Sequence, residues 1–286
     1  MSETLGDCCI SGVTWEGTPE GQVRKINGHD VYVGEPKQGG DKSKALLFLS
    51  DVFGLGLINN KLMVDDFARQ GYYTYLVDYL SGDPIAPEAM NSGNFDFPAW
   101  LANHGEEAVH AVLDPVMDGL KEEGVTKFAA VGYCFGVSAF SLLSELLVAE
   151  FPSGNYFSVA QGKYAVRLAI QKRISIGMIA HPSLLKIPED LEALKKVTPE
   201  IPMLFVTCTT DFMYGPEQQK VGDDVLGNGT AEGEGYKRVF YEGCSHGFAV
   251  RGDKSDPKVK FGKEDAFKQT VNWYVPGSLI AFRGTR

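Results

Sequence analysis

Short apolar runs alternate along the chain with longer stretches of helical periodicity, and this alternation constrains the fold more than any other feature. Residues 45–50, 73–77, 128–131, 174–179 and 202–206 are short and rich in β-branched, aromatic and aliphatic side chains, so they read as buried strands. Residues 237–241 read as one more strand, nearer an edge. Between them lie helical stretches. Residues 59–70 place Leu62, Met63 and Phe67 on one face, and residues 105–123 space Val109, Val112, Val116 and Leu120 at helical intervals. Residues 135–149 are almost wholly apolar and predict a buried helix, and residues 216–226 and 263–274 complete the set. Residues 22–33 read as a hairpin turning at Asn27-Gly28. Strands alternating with helices imply an α/β fold: a mainly parallel central sheet with helices on both faces.

The 286 residues suit one domain, 1–286, large enough to bury roughly three quarters of its unfolded surface without staples. An N-terminal extension and the hairpin occupy about 1–40. The polar, Pro/Gly-containing stretch 82–105 is a candidate lid loop. Residues 151–171 break the pattern and stay unassigned.

Charge and cysteine usage exclude several classes. A net charge of −10 leaves no basic face for nucleic acid and no polybasic membrane patch. The longest apolar runs are too short to span a bilayer. Five cysteines, Cys8, Cys9, Cys134, Cys208 and Cys244, form neither a disulfide framework nor a zinc-spaced cluster. The opening MSETLGDCCISG lacks a basic-then-apolar run. The expectation is a cytoplasmic protein with free thiols, a monomer or homodimer, with a small-molecule partner and no metal.

The sharpest local signal is Gly132-Tyr133-Cys134-Phe135-Gly136, which follows a predicted strand and opens a predicted helix. This is the nucleophile turn of α/β-hydrolases with Cys where Ser is usual. A helix N-terminus there would favour the thiolate, and the Phe135 N–H would face a developing oxyanion. Taken alone, the motif equally fits an inert, buried cysteine at a strand–helix turn. A nucleophile also needs a base and an orienting acid. Asp211 follows the strand run 202–206, and His246 follows the run 237–241, in the chain order this fold uses. The candidate triad is therefore Cys134, His246 and Asp211.

Gly132 to Gly136, Asp211 and Ser245-His246-Gly247-Phe248 together resemble the dienelactone hydrolase family. Its fungal branch is matched further by Glu16-Gly17-Thr18-Pro19, Asp51-Val52-Phe53-Gly54, Gly82-Asp83-Pro84 and His181-Pro182-Ser183. The resemblance spans nearly the whole chain. It implies a cysteine hydrolase of small-molecule esters or lactones, with no cofactor. It matches Cys134 to the nucleophile, His246 to the base and Asp211 to the orienting acid. Asp51 stands where bacterial members carry a glutamate that contacts the cysteine, and it reads otherwise as a turn-forming aspartate. Val52 N–H would be the second oxyanion donor.

The departures bear on substrate. Fungal relatives often continue past the nucleophile turn with a second glycine and Arg-Tyr, where this chain has Val137-Ser138-Ala139-Phe140. Arg251 falls roughly where a substrate-carboxylate arginine is expected, while 79–84 offers none. An isomerase or cyclase of a biosynthetic pathway is the alternative on the same fold, and a ligand-binding or redox protein is a third reading. His181 reads first as a hydrogen-bonded core or rim histidine and second as a pocket donor. His29, His104 and His110 read as surface residues. Tyr79, Trp100, Trp15 and Phe97 fit either a pocket lining or plain core.

Overall fold

A computed structural model describes residues 14–86, 89, 95–133, 161–183 and 185–274. Cys134, Phe135, residues 137–140 and the apolar stretch 135–149 lie outside the described residues. The strands are β1 (Gln22–Ile26), β2 (His29–Gly34), β3 (Lys44–Leu49), β4 (Tyr73–Val77), β5 (Lys127–Tyr133), β6 (Ile176–Ala180), β7 (Met203–Thr210), β8 (Glu232–Gly233) and β9 (Tyr236–Ser245). They form one sheet in the order β1-β2-β4-β3-β5-β6-β7-β9-β8.

From β4 through β3, β5, β6 and β7 to β9 every pairing is parallel. Strands buried on both faces read as continuous apolar runs rather than alternating ones. That is why Ala45 to Leu49 are all buried, as is the whole of Ile176–Ala180. The antiparallel pairings sit at the edges. The β1–β2 hairpin turns at Asn27 and Gly28, both at positive φ (45° and 88°), as a type I′ turn requires. β9 lies one strand in from the edge, beside the two-residue β8.

Helices cover the sheet where the periodicity places them. Ile58–Arg69 buries Met63, Val64 and Phe67. Its end is fixed by backbone chemistry: Gly71 at φ 94° lets its N–H reach Ala68 O at 2.9 Å, and the Tyr72 N–H reaches Phe67 O at 3.2 Å. This double bond of a left-handed cap needs glycine at that site. Glu106–Glu122 buries Val109, Val112, Leu113, Val116, Met117 and Leu120 as one stripe. The final helix, Pro257–Tyr274, begins six residues before the periodic signal at 263.

Among the described residues, several helices escape the sequence reading, the four-residue Phe248–Arg251 just after His246 included. Gln161–Ile170 lies in the unassigned stretch, and Glu189–Lys195 is too short to carry a periodic signal. Phe97–Asn103 lies inside the candidate lid. There Asp96 caps the helix by accepting from Ala99 N at 3.0 Å, and Trp100 Nε1 donates to Asp83 O at 2.9 Å. The indole thus ties this helix to the residues just after β4. His104 corrects its surface reading: it is buried and its ring stacks on Trp100 at 4.1 Å. No helix among the described residues is long and apolar enough to cross a membrane.

Candidate active site

The carboxyl ends of adjacent parallel strands are where α/β sheets gather chemistry, because the loops leaving them converge on one edge. Here β3 leads into Asp51 and Val52, β6 into His181, β7 into Asp211 and β9 into His246. Cys134 is the residue that follows Tyr133 at the end of β5, the strand between β3 and β6.

Asp211 and His246 meet. His246 Nδ1 lies 2.9 Å from Asp211 Oδ1, and both side chains are fully enclosed. The same oxygen accepts from the backbone N–H groups of Met213 at 2.9 Å and Tyr214 at 3.0 Å. These local bonds hold the carboxylate in an Asx turn, and the carboxylate in turn fixes the imidazole. The histidine is placed by backbone as well. β7 and β9 slip register between Cys208 and Thr210, and the His246 N–H then donates to Thr210 O at 2.8 Å. Phe212 and His181 pack on the imidazole with ring centroids 5.2 and 5.0 Å away.

On the other flank of β5, Asp51 is completely buried. Its Oδ2 lies 3.0 Å from Arg251 Nε. Its Oδ1 accepts from Asn60 Nδ2 and from the Phe53 N–H, each at 3.2 Å. Burial pushes the Asp51 carboxyl above its ordinary range, against the pull of Arg251, Asn60 and the Phe53 N–H. Arg251 is itself buried, and its guanidinium lies 5.2 Å over the Phe53 ring. Gly247, at φ 88°, makes room for it: a Cβ there would sit 2.7 Å from the guanidinium. Arg251, expected from the sequence to meet an anionic substrate group, thus already faces a carboxylate through Nε.

Val52 is buried, and its carbonyl accepts from the Ile85 N–H at 2.9 Å, which anchors the start of the 82–105 stretch beside the turn. The N–H groups of Phe53 and Gly54 are used inside the turn, by Asp51 Oδ1 and Asp51 O. Tyr79 is also buried and donates its hydroxyl to Ser50 O at 2.5 Å, one residue before Asp51. Burial holds its phenol well above its ordinary range, so it stays a neutral donor.

Asn59 and Asn60, which sequence reasoning passed over, organise this flank. Asn60 bonds both Asp51 Oδ1 and Gly54 O, the latter at 2.8 Å. Asn59 Nδ2 donates to Val250 O at 3.0 Å, while its Oδ1 accepts from the Trp15 N–H at 2.8 Å. The two side chains thus tie the helix Ile58–Arg69 to the β3 turn, to the short helix Phe248–Arg251 after His246 and to the N-terminal segment. The available signal was two adjacent amides at a helix start, where exposed side chains are usual.

Cys208 and Cys244 are buried, and their thiols donate to Thr210 O at 3.8 Å and to Lys258 O at 3.7 Å. Burial pushes the Cys244 thiol up to about 11. Among the described residues no group of three or more His, Cys, Asp or Glu side chains could hold a metal ion.

The dienelactone hydrolase family signature matches residues 29–151. Hydrolase pyvD of Aspergillus violaceofuscus is 30% identical over 270 residues, covering 93% of this chain and 94% of its own length. Hydrolase tropI of Talaromyces stipitatus is 28% identical over 278 residues, covering 93% and 94%. Dienlactone hydrolase 1 of Gibberella moniliformis is 29% identical over 272 residues, covering 93% and 91%. Among solved structures, one from Klebsiella pneumoniae assigned to the dienelactone hydrolases superposes with a TM-score of 0.60. At 15% identity over 88% of this chain and 96% of that one, it shares the fold. The chain belongs to the dienelactone hydrolase family.

Proposed function

We propose that this hydrolase cleaves an ester or lactone bond of a small molecule through a cysteine nucleophile, with Cys134, His246 and Asp211 acting as a triad. The observation that carries the reading is the 2.9 Å bond from His246 Nδ1 to Asp211 Oδ1 in a fully enclosed site. With Nδ1 held by the carboxylate, Nε2 is the nitrogen left for proton transfer with the nucleophile. Cys134 enters the chain directly after β5, two strands from the strand that delivers Asp211.

In this reading the thiolate attacks the substrate carbonyl. The oxyanion sits on the N–H groups of Phe135 and Val52, and His246 returns its proton to the leaving oxygen. Water, activated by the same imidazole, then releases the acyl group from sulfur. Asp51 and Arg251 border the site on the β3 flank, and Tyr79 and Trp100 support that border from the residues after β4.

The test is turnover of a panel of activated aryl esters and lactones. Cys134→Ala is expected to abolish turnover and His246→Ala nearly to abolish it, with circular dichroism unchanged. A folded Cys134→Ala protein that keeps most of its activity would overturn covalent catalysis.

A further inference from the structure

His181-Pro182-Ser183 is the motif that the hydrolytic reading leaves unused. His181 follows β6 directly, and the strand register says which strand ends flank it. Tyr133 of β5 is the Cα partner of Ala180 of β6. One residue further on, the chain has Cys134 after the first and His181 after the second. On the opposite side, the His181 N–H donates to Val206 O of β7 at 2.8 Å. His181 therefore stands between the strand that leads to the nucleophile and the strand that leads to Asp211.

Two features set this residue apart from an ordinary core histidine. It is completely buried, yet neither Nδ1 nor Nε2 has a hydrogen-bond partner among the described residues. This corrects the reading of His181 as a hydrogen-bonded core or rim residue. The groups packed on the ring offer no partner: His246 at 5.0 Å, Phe248 at 5.7 Å and Tyr133 at 6.3 Å, all as ring contacts. Ser183 Oγ, two residues on, is likewise buried without a partner. Buried polar groups are nearly always bonded, so such an orphan calls for an explanation. The second feature is the backbone. His181 adopts φ 40°, a left-handed conformation that a side chain with a Cβ rarely takes. Strain of this kind persists where the surroundings hold a side chain in place for a task.

We propose that His181 binds substrate: its imidazole hydrogen-bonds a second oxygen of the ester or lactone, distinct from the carbonyl oxygen that is attacked. The substrate class is then an oxygenated acyl or alkyl ester, carrying a hydroxyl, oxo or ring oxygen, rather than a plain hydrocarbon ester. Burial favours the neutral ring, which offers one N–H donor and one acceptor nitrogen. A site built to bond a substrate oxygen discriminates strongly against the analogue that lacks it, because the protein's polar atom is then left unpaired. This inference rests on the triad reading and deepens it.

The experiment compares three phenyl esters of matched size: a butanoate, a 3-hydroxybutanoate, and a butanoate whose phenyl leaving group carries a hydroxyl. They are tested on the wild type, His181→Phe and His181→Asn. Phenylalanine keeps a ring and removes both nitrogens. Asparagine tolerates the left-handed backbone and keeps a donor and an acceptor. The wild type is expected to favour one hydroxylated ester over its plain counterpart. In His181→Phe, the ratio of kcat/KM for that ester to kcat/KM for the plain butanoate should fall at least about tenfold. His181→Asn should retain most of the preference. If His181→Phe does not fold, His181→Ala takes its place with the same expectation. Equal losses on all esters, or a wild type with no preference, would overturn the proposal. The triad reading stands or falls separately, on whether Cys134→Ala abolishes turnover of the plain butanoate.

Discussion

The two flanks of β5 bury polar groups in opposite ways. On the β3 flank, the Asp51 carboxylate faces Arg251 at 3.0 Å, and Asn60 and the Phe53 N–H bond its other oxygen. Charge is matched there, and the contacts join three separate segments. On the β6–β7–β9 flank, Asp211 and His246 share one short contact, and His181 beside them has no bonded nitrogen among the described residues. A buried charge matched by its counter-ion, with contacts that tie distant segments together, holds a fold. A buried imidazole with neither nitrogen bonded, such as that of His181, is available to a reaction. The β3 flank should therefore respond to mutation mainly in stability, and the β6–β7–β9 flank mainly in activity.

Among the substitutions that compare the two flanks, the largest effect is expected from Asp211→Asn. The equivalent change in a serine triad costs about 10⁴ in rate through the wrong imidazole tautomer. A thiol is more acidic than a hydroxyl, so the loss in kcat here should be smaller than that and still measurable. Asp211 Oδ1 takes the imidazole as well as the Met213 and Tyr214 N–H groups, so an amide oxygen in its place keeps all three bonds and loses only the negative charge: urea unfolding should shift little. A large loss of stability with kcat nearly intact would reverse the assignment of this flank.

Arg251→Met should show the converse. It leaves Asp51 buried without its cation, and breaking one partner of a buried pair costs about 3–5 kcal/mol. Chemical unfolding would read this directly. The double variant Arg251→Met, Asp51→Asn should recover part of the loss, because no buried charge is then left alone. Steady-state kinetics on neutral and anionic esters would add whether Arg251 also reaches substrate: a KM rise confined to the anionic ester would say that it does.

His181 gives an intermediate effect with a pH signature. Burial first, then the charges of His246 and Arg251, hold it well below the ordinary value of 6.5. Between its folded pKa and 6.5 the unfolded chain binds a proton that the folded chain does not. Stability is therefore complete above that window and falls as pH drops through it. One proton corresponds to about 1.4 kcal/mol per pH unit. Unfolding curves between about pH 6 and 5 should show that extra slope in the wild type and lack it in His181→Asn. Parallel slopes would mean that His181 titrates normally.

The smallest effect belongs to an ion pair far from the site. Arg24 and Glu123 join the hairpin to the helix Glu106–Glu122 through two contacts of 2.7 and 2.6 Å. Both are partly exposed to solvent. Exposed pairs contribute about 0–1 kcal/mol, so Arg24→Ala should lower stability by no more than about 1 kcal/mol and leave kcat unchanged. A loss approaching that of Arg251→Met would erase the distinction drawn here between buried and exposed pairs.

Much of the fold is legible because parallel strands must be apolar on both faces. The runs at 73–77 and 216–226 coincide with β4 and with the helix Pro216–Leu226. The hairpin is visible in Asn27-Gly28, since few dipeptides accept positive φ at both positions. The helix Glu189–Lys195 is not legible, because seven residues hold barely two turns of pattern. Around the site, motif spacing identifies Asp211 and His246, which chain order brings to neighbouring strand ends. It does not reveal Asn59 and Asn60, whose partners lie in segments distant along the chain. Nor does it reveal that His104 is buried, since that depends on an indole four residues earlier folding over it.

The central claim is that Cys134 carries the acyl group. The most direct measurement is mass spectrometry of enzyme quenched during turnover of an activated ester, followed by peptide mapping of all five cysteines. Cys244, whose thiol burial raises to about 11, should stay unmodified, as should the buried Cys208. A single acyl adduct is expected on the Cys134 peptide, accumulating in His246→Ala if deacylation is slowed more than attack, and absent from Cys134→Ala. Turnover with the adduct on Cys8, Cys9, Cys208 or Cys244, or undiminished turnover in Cys134→Ala, would contradict it.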